Sequence, residues 1–87
     1  MGKKKIKILF LCSANSSRSQ MAEGWARALK GDALNPYSAG IASSGLNASA
    51  VKVMDEAGVS IERQISKSVD DVRDILFGYV AAVCNEA

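Results

Sequence analysis

Histidine is absent from these 87 residues. That excludes a Ser-His-Asp triad and a Cys-His pair, so any nucleophile in the chain must be activated without an imidazole. Cysteine is scarce: Cys12 and Cys84 are the only two. Two thiols without histidine are too few for a closed zinc site, and in a reducing compartment they do not serve as a structural staple. Long apolar runs are missing as well. The longest candidate, "IKILFLC" at 6–12, is far too short to span a bilayer and is broken by Lys7. It also lacks the pattern of a secretory leader, so the expected location is cytoplasmic, without a membrane partner. Charge of one sign is lacking too. Eleven basic residues against nine acidic ones leave a net charge of +2, too little for a nucleic-acid surface. Lys3, Lys4 and Lys5 read as a solvated lead-in to a strand, with at most a weak pull on anions.

What is present suits one small domain over 1–87. The composition, 48% hydrophobic and 23% charged, is that of a globular chain rather than a disordered one. Residues 6–11, "IKILFL", read as a strand buried on both faces, as in a parallel sheet. A helix follows over 18–30, with Met21, Trp25, Ala28 and Leu29 as its apolar face. "NPYSAG" at 35–40 is a second strand, entered through the only proline, Pro36. Asn47 caps a second helix with Val51, Met54 and Ala57 on its buried face and Gly58 as its stop. Ser68 caps a third helix whose buried face is Val69, Val72, Ile75 and Leu76, ended by Gly78. "YVAAVC" at 79–84 reads as another fully buried strand. The alternation predicts an α/β fold: a small parallel sheet flanked by helices in three layers. Ligands of such sheets gather beyond the carboxyl ends of the strands. Cys12 and Cys84 each stand at that end of a predicted strand.

The segment "FLCSANSSRS" at 10–19 carries the chemistry. A strand-to-helix loop presents inward N–H groups and a helix N-terminus, which together cradle an anion. Small residues, Ser13, Ala14, Ser16 and Ser17, let the backbone close tightly. Asn15 tolerates a left-handed conformation. Arg18 offers a planar fork for two oxygens of a tetrahedral oxyanion. The same field favours the thiolate of Cys12, the form that attacks. Ser19 is placed to donate to that thiolate. Cys84 fits either a small core residue or a second sulfur.

These residues resemble a known family. "ILFLCSANSSRSQMAEGWAR", "YSAG", "GLNASAVKVMDEAG" and "SKSVDDV" are similar to segments of the arsenate reductases that share the low-molecular-weight protein tyrosine phosphatase fold. Gln20, where the phosphatase branch usually has proline, favours the reductase branch. The resemblance implies an oxyanion loop over residues 12–18 that takes arsenate, phosphate or sulfate. It makes Cys12 the nucleophile, Arg18 the clamp, Ser19 the thiolate support and Cys84 the second redox cysteine. It implies that Cys84 attacks the Cys12–arsenic adduct, that arsenite leaves, and that thioredoxin reduces the resulting disulfide. In some reductases a potassium ion binds near the positions of Asn15, Glu23 and Ser38; no other metal or cofactor is implied.

Family members also carry a further cysteine after the second one, an Asp-Pro segment, a fourth strand and a final helix. This chain stops at Ala87 without them and so resembles a C-terminally truncated member lacking the last strand and helix, expected to be weak or inactive in turnover. Ser17 stands where many members carry another cysteine. The alternatives are a low-molecular-weight protein tyrosine phosphatase and a non-catalytic oxyanion-binding module. The last strand leaves a sheet edge without a neighbour, through which homo-oligomers are expected.

Overall fold

The computed structural model describes residues 5–13, 18–41 and 45–83. Along the chain run β1 (Ile6–Cys12), α1 (Arg18–Lys30), β2 (Leu34–Gly40), α2 (Ala48–Glu56), the short α3 (Val69–Val72) and β3 (Tyr79–Ala82). The sheet order is β2-β1-β3, with both pairings parallel. The predicted order and sheet type are therefore met.

β1 is central. Cys12 lies opposite Gly40 of β2, and Leu11 opposite Ala82 of β3. Paired residues of a parallel ladder project to the same face. Leu9, Leu11, Tyr37 and Ala39 share one face, where Val72, Ile75 and Phe77 pack on them. Tyr37 and Phe77 meet edge to face, with centroids 5.2 Å apart at 78°, a contact worth about 0.5–1.5 kcal/mol. Ser38 and Gly40 share the other face, where α1 lies. Pro36, which cannot donate to a ladder, stands on β2, an edge strand of this sheet.

A second cluster lies between α1 and α2. Ala50, Met54 and Ile61 are buried there, with Met21, Leu46, Val51 and Val59 against them. Burial of Met54 and Ile61 contributes about 1.5–3 kcal/mol each. The predicted caps hold. Asn47 Oδ1 accepts from Ala50 N at 3.0 Å, and Gly58 has the positive φ of a helix stop, 86°. At α3, the Asp71 carboxylate accepts from the Ser68 N–H at 2.9 Å.

Four expectations about burial are corrected. The buried face of α1 is Ser19, Gln20, Glu23 and Gly24. Of the predicted face, Met21 is half-buried, Ala28 is exposed, and Trp25 and Leu29 are 38% and 68% exposed. The helix is rotated because Gly24 permits close approach. A Cβ there would stand 2.5 Å from Ile61 Cγ2 and 3.2 Å from Met54 Cε. On α2, Ala50 and Met54 are buried, Val51 is half-buried, and Ala57 is an exposed C-cap. The third helix ends at Val72, with Arg73 as its C-cap. The chain leaves helical geometry before the turn that would align Leu76 with Val72, so Val69 and Leu76 face solvent. Finally, the strands are less buried than their apolarity implies. Leu9 is the buried residue of β1, and Tyr79 and Val80 of β3 are exposed. Among the described residues β3 has one neighbour, β1, which leaves its outer edge open.

Candidate active site at the carboxyl end of β1

The chain passes from β1 to β2 on one side of the sheet, then returns past β1 to place β3 on the other. Adjacent strands whose connections diverge leave a crevice at their carboxyl ends. Cys12, the last residue of β1, stands there and is a half-buried free thiol. The ladder extends just past this point. Ile41 N donates to Cys12 O at 3.3 Å, and Val83 N donates to Leu11 O at 2.8 Å. Val83 immediately precedes Cys84 in the sequence. Ser13 is exposed, and Arg18 is the first residue of α1 and exposed. Ser19, in the first turn of α1, is fully buried. Cys12 and Arg18 thus bracket the strand-to-helix connection that the sequence predicts. Ala14, Asn15, Ser16, Ser17 and Cys84 lie outside the described residues.

Behind this connection α1 is held by a polar network. Glu23 is buried, and its Oε1 accepts from Ser38 Oγ at 2.6 Å. Its Oε2 accepts from Arg27 Nη2 at 2.5 Å. Arg27 Nη1 donates to Gln64 Oε1 at 2.9 Å. Gln64 Nε2 donates in turn to Gln20 O at 2.9 Å and Gln20 Oε1 at 2.7 Å. Lys67 Nζ stands 3.8 Å from Glu23 Oε1. Among the described residues no buried side-chain nitrogen or oxygen lacks a hydrogen-bond partner. A fully paired network of this kind fixes geometry where a half-paired one would destabilise. It ties the first turns of α1 to β2 and to the 64–67 segment, and so fixes where the helix begins at Arg18.

Of the sequence-derived residues, the structure joins Glu23 to Ser38. Gln64, Arg27 and Lys67 were not singled out by sequence reasoning. Gln20, Glu23 and Arg27 recur at helical spacing, i, i+3 and i+7, on one face. A search for polar as well as apolar periodicity would have found that face. Gln64 and Lys67 lie in an irregular segment with no periodic signal. An open cleft of about 560 Å³ lies over this network rather than over Cys12, lined in part by Glu23, Arg27, Ile61, Gln64 and Lys67. No group of three or more His, Cys, Asp or Glu gathers among the described residues, and among them no helix is long and apolar enough to cross a membrane.

Similarity to known proteins agrees with this architecture. The family model for low molecular weight phosphotyrosine protein phosphatase matches residues 7–87. An arsenate reductase of Bacillus licheniformis is 52% identical over 82 residues, covering 92% of this chain and 58% of that protein. An arsenate reductase of Bacillus subtilis is 50% identical with the same coverage. A solved arsenate reductase in the phosphate binding state superposes with a TM-score of 0.85 at 34% identity, over 91% of this chain and 60% of the other. The chain therefore spans less than two thirds of the length of these relatives. With a matching family model, a shared parallel sheet and Cys12 and Arg18 at the two ends of its first connection, the chain belongs to the low molecular weight phosphotyrosine protein phosphatase family.

Proposed function

We propose that this chain carries the oxyanion-binding nucleophile of an arsenate reductase. One observation supports the reading above others: Cys12 ends the central strand and Arg18 opens the following helix. A thiolate at that point attacks the arsenic of an arsenate held by loop N–H groups and the Arg18 guanidinium. An S–As bond forms and an arsenic-bound oxygen leaves as water after protonation. The Cys84 thiolate then attacks Cys12 Sγ. The S–As bond breaks with its electron pair going to arsenic, so As(V) becomes As(III) and arsenite departs. The two thiols have lost two electrons and form the Cys12–Cys84 disulfide. A dithiol protein such as thioredoxin returns them by thiol–disulfide exchange.

The test is peptide mapping of disulfides after arsenate treatment, beside arsenite release per chain. The expected result is up to one arsenite per chain and a Cys12–Cys84 disulfide. Arsenite without that disulfide would remove the Cys84 role. A second reading has the family's own chemistry behind it, because the same Cys-to-Arg loop serves phosphoester cleavage. Phosphate released from an aryl phosphate, with no arsenite from arsenate, would establish a phosphatase instead. Oxyanion binding with neither reaction would establish a binding module.

A further inference from the structure

Glu23 and Ser38 are two of the three positions at which resemblance implies a potassium ion, and the side chains around them do not fit that ion. Potassium is held by several oxygens that converge on one gap in place of its hydration shell, with no other cation standing in that gap. Among the described residues, one carboxylate, Glu23, faces two cations here. Arg27 Nη2 holds Oε2, and Lys67 Nζ lies 3.8 Å from Oε1. The Lys67 ammonium also donates to the Ile65 carbonyl oxygen at 3.1 Å. A carboxylate and a backbone carbonyl are both oxygen donors of the kind that a hard monovalent cation takes. An added potassium ion would be a third positive charge beside the one carboxylate that the described residues place here, and it would meet repulsion from both Arg27 and Lys67.

We propose that the Lys67 ammonium is the resident cation of this site and does the work of a bound potassium ion. The ammonium group is close to potassium in size, carries the same charge and donates to the oxygens that potassium would coordinate. The backbone delivers it to the site. Gly40 N donates to Lys67 O at 2.9 Å, and Ser68 forms a parallel bridge with Gly40. Lys67 is thus fixed against the end of β2, two residues from Ser38, the donor to Glu23 Oε1. Its side chain is mostly buried, 23% exposed, so its charge is less screened than that of a surface lysine. Lys67 is a positioning residue. It acts through Glu23 on the first turns of α1, and therefore on where Arg18 begins the helix.

The inference concerns cation binding rather than turnover, so its failure would leave the reductase reading untouched. The test is thermal unfolding and isothermal titration of the chain in potassium, ammonium and choline chlorides at equal ionic strength. A ligand that binds only the folded state raises the melting temperature, and the rise grows with the logarithm of its concentration once that exceeds the dissociation constant. The unaltered chain is expected to melt at the same temperature in all three salts and to show no saturable potassium uptake. Lys67→Ala, which empties the ammonium position, is expected to melt lower in choline chloride. It should recover in potassium or ammonium chloride, with saturable heat on titration. Saturable potassium uptake by the unaltered chain would overturn the proposal. So would a Lys67→Ala chain that melts in choline and gains nothing from potassium or ammonium. If Lys67→Ala is unfolded in every salt, the titration of the unaltered chain decides alone, with no uptake supporting the proposal and uptake overturning it.

Discussion

Ser38, in the middle of β2, donates its hydroxyl hydrogen to Glu23 of α1 at 2.6 Å, with both residues buried. The bond crosses from sheet to helix and holds a carboxylate that has left bulk water. Ser38→Ala removes a donor from a fully buried position. The expected cost is about 1–3 kcal/mol, the penalty of leaving a buried acceptor short of a partner. Urea unfolding measures it. An unchanged midpoint would mean that Arg27 and Lys67 alone satisfy the carboxylate.

Gly24→Ala is expected to destabilise, against helix propensity. In an exposed helix interior this exchange gains about 0.5–1 kcal/mol. Here the new methyl would lie 2.5 Å from Ile61 Cγ2, and Ile61 is itself buried. Overpacking of this kind costs about 1–3 kcal/mol. The sign of the change in a denaturant titration is the test, and stabilisation would show that α1 shifts freely away from Ile61.

Arg18→Lys keeps the charge but loses the planar fork. Phosphate or sulfate affinity, read by calorimetry, is expected to fall by about tenfold or more, the equivalent of ~1.4 kcal/mol. Equal affinity would mean that Arg18 contributes charge alone.

Cys12 is expected to be alkylated by iodoacetamide and protected by phosphate or arsenate, because the anion and the reagent compete for one loop. Mass mapping of the labelled peptide with and without oxyanion reads both effects. Labelling indifferent to oxyanion would separate Cys12 from the anion site.

Among the described residues the outer edge of β3 has no neighbour, and Ile6, Leu76, Tyr79 and Val80 are exposed on and around it. An unpaired strand edge beside exposed apolar side chains favours pairing with a second chain. Light scattering over a range of concentrations is expected to show self-association, and Val80→Lys to reduce it. A monomer at every concentration would show that this edge is left unpaired in solution.

Much was legible in the sequence because it is local. A β-branched run, Asn47 before an amphipathic stretch, and Gly58 after it each specify their own backbone within a few residues, and the structure has those elements at those places. The strand-to-helix loop was legible for the same reason, since Cys12 and Arg18 are set by one strand end and one helix start. Which side of α1 faces inward was not local. Trp25 and Leu29 are the apolar choice by periodicity, but the helix buries Gln20, Glu23 and Gly24 instead. Only tertiary structure supplies the cause. Ile61 and Met54 arrive from further along the chain to fill the space that Gly24 leaves. Ser38, Arg27 and Lys67 converge to satisfy one carboxylate. Residues 23, 38 and 67 are far apart in sequence and carry no shared pattern. The low cost of burying Glu23 existed only once the fold had brought its partners together.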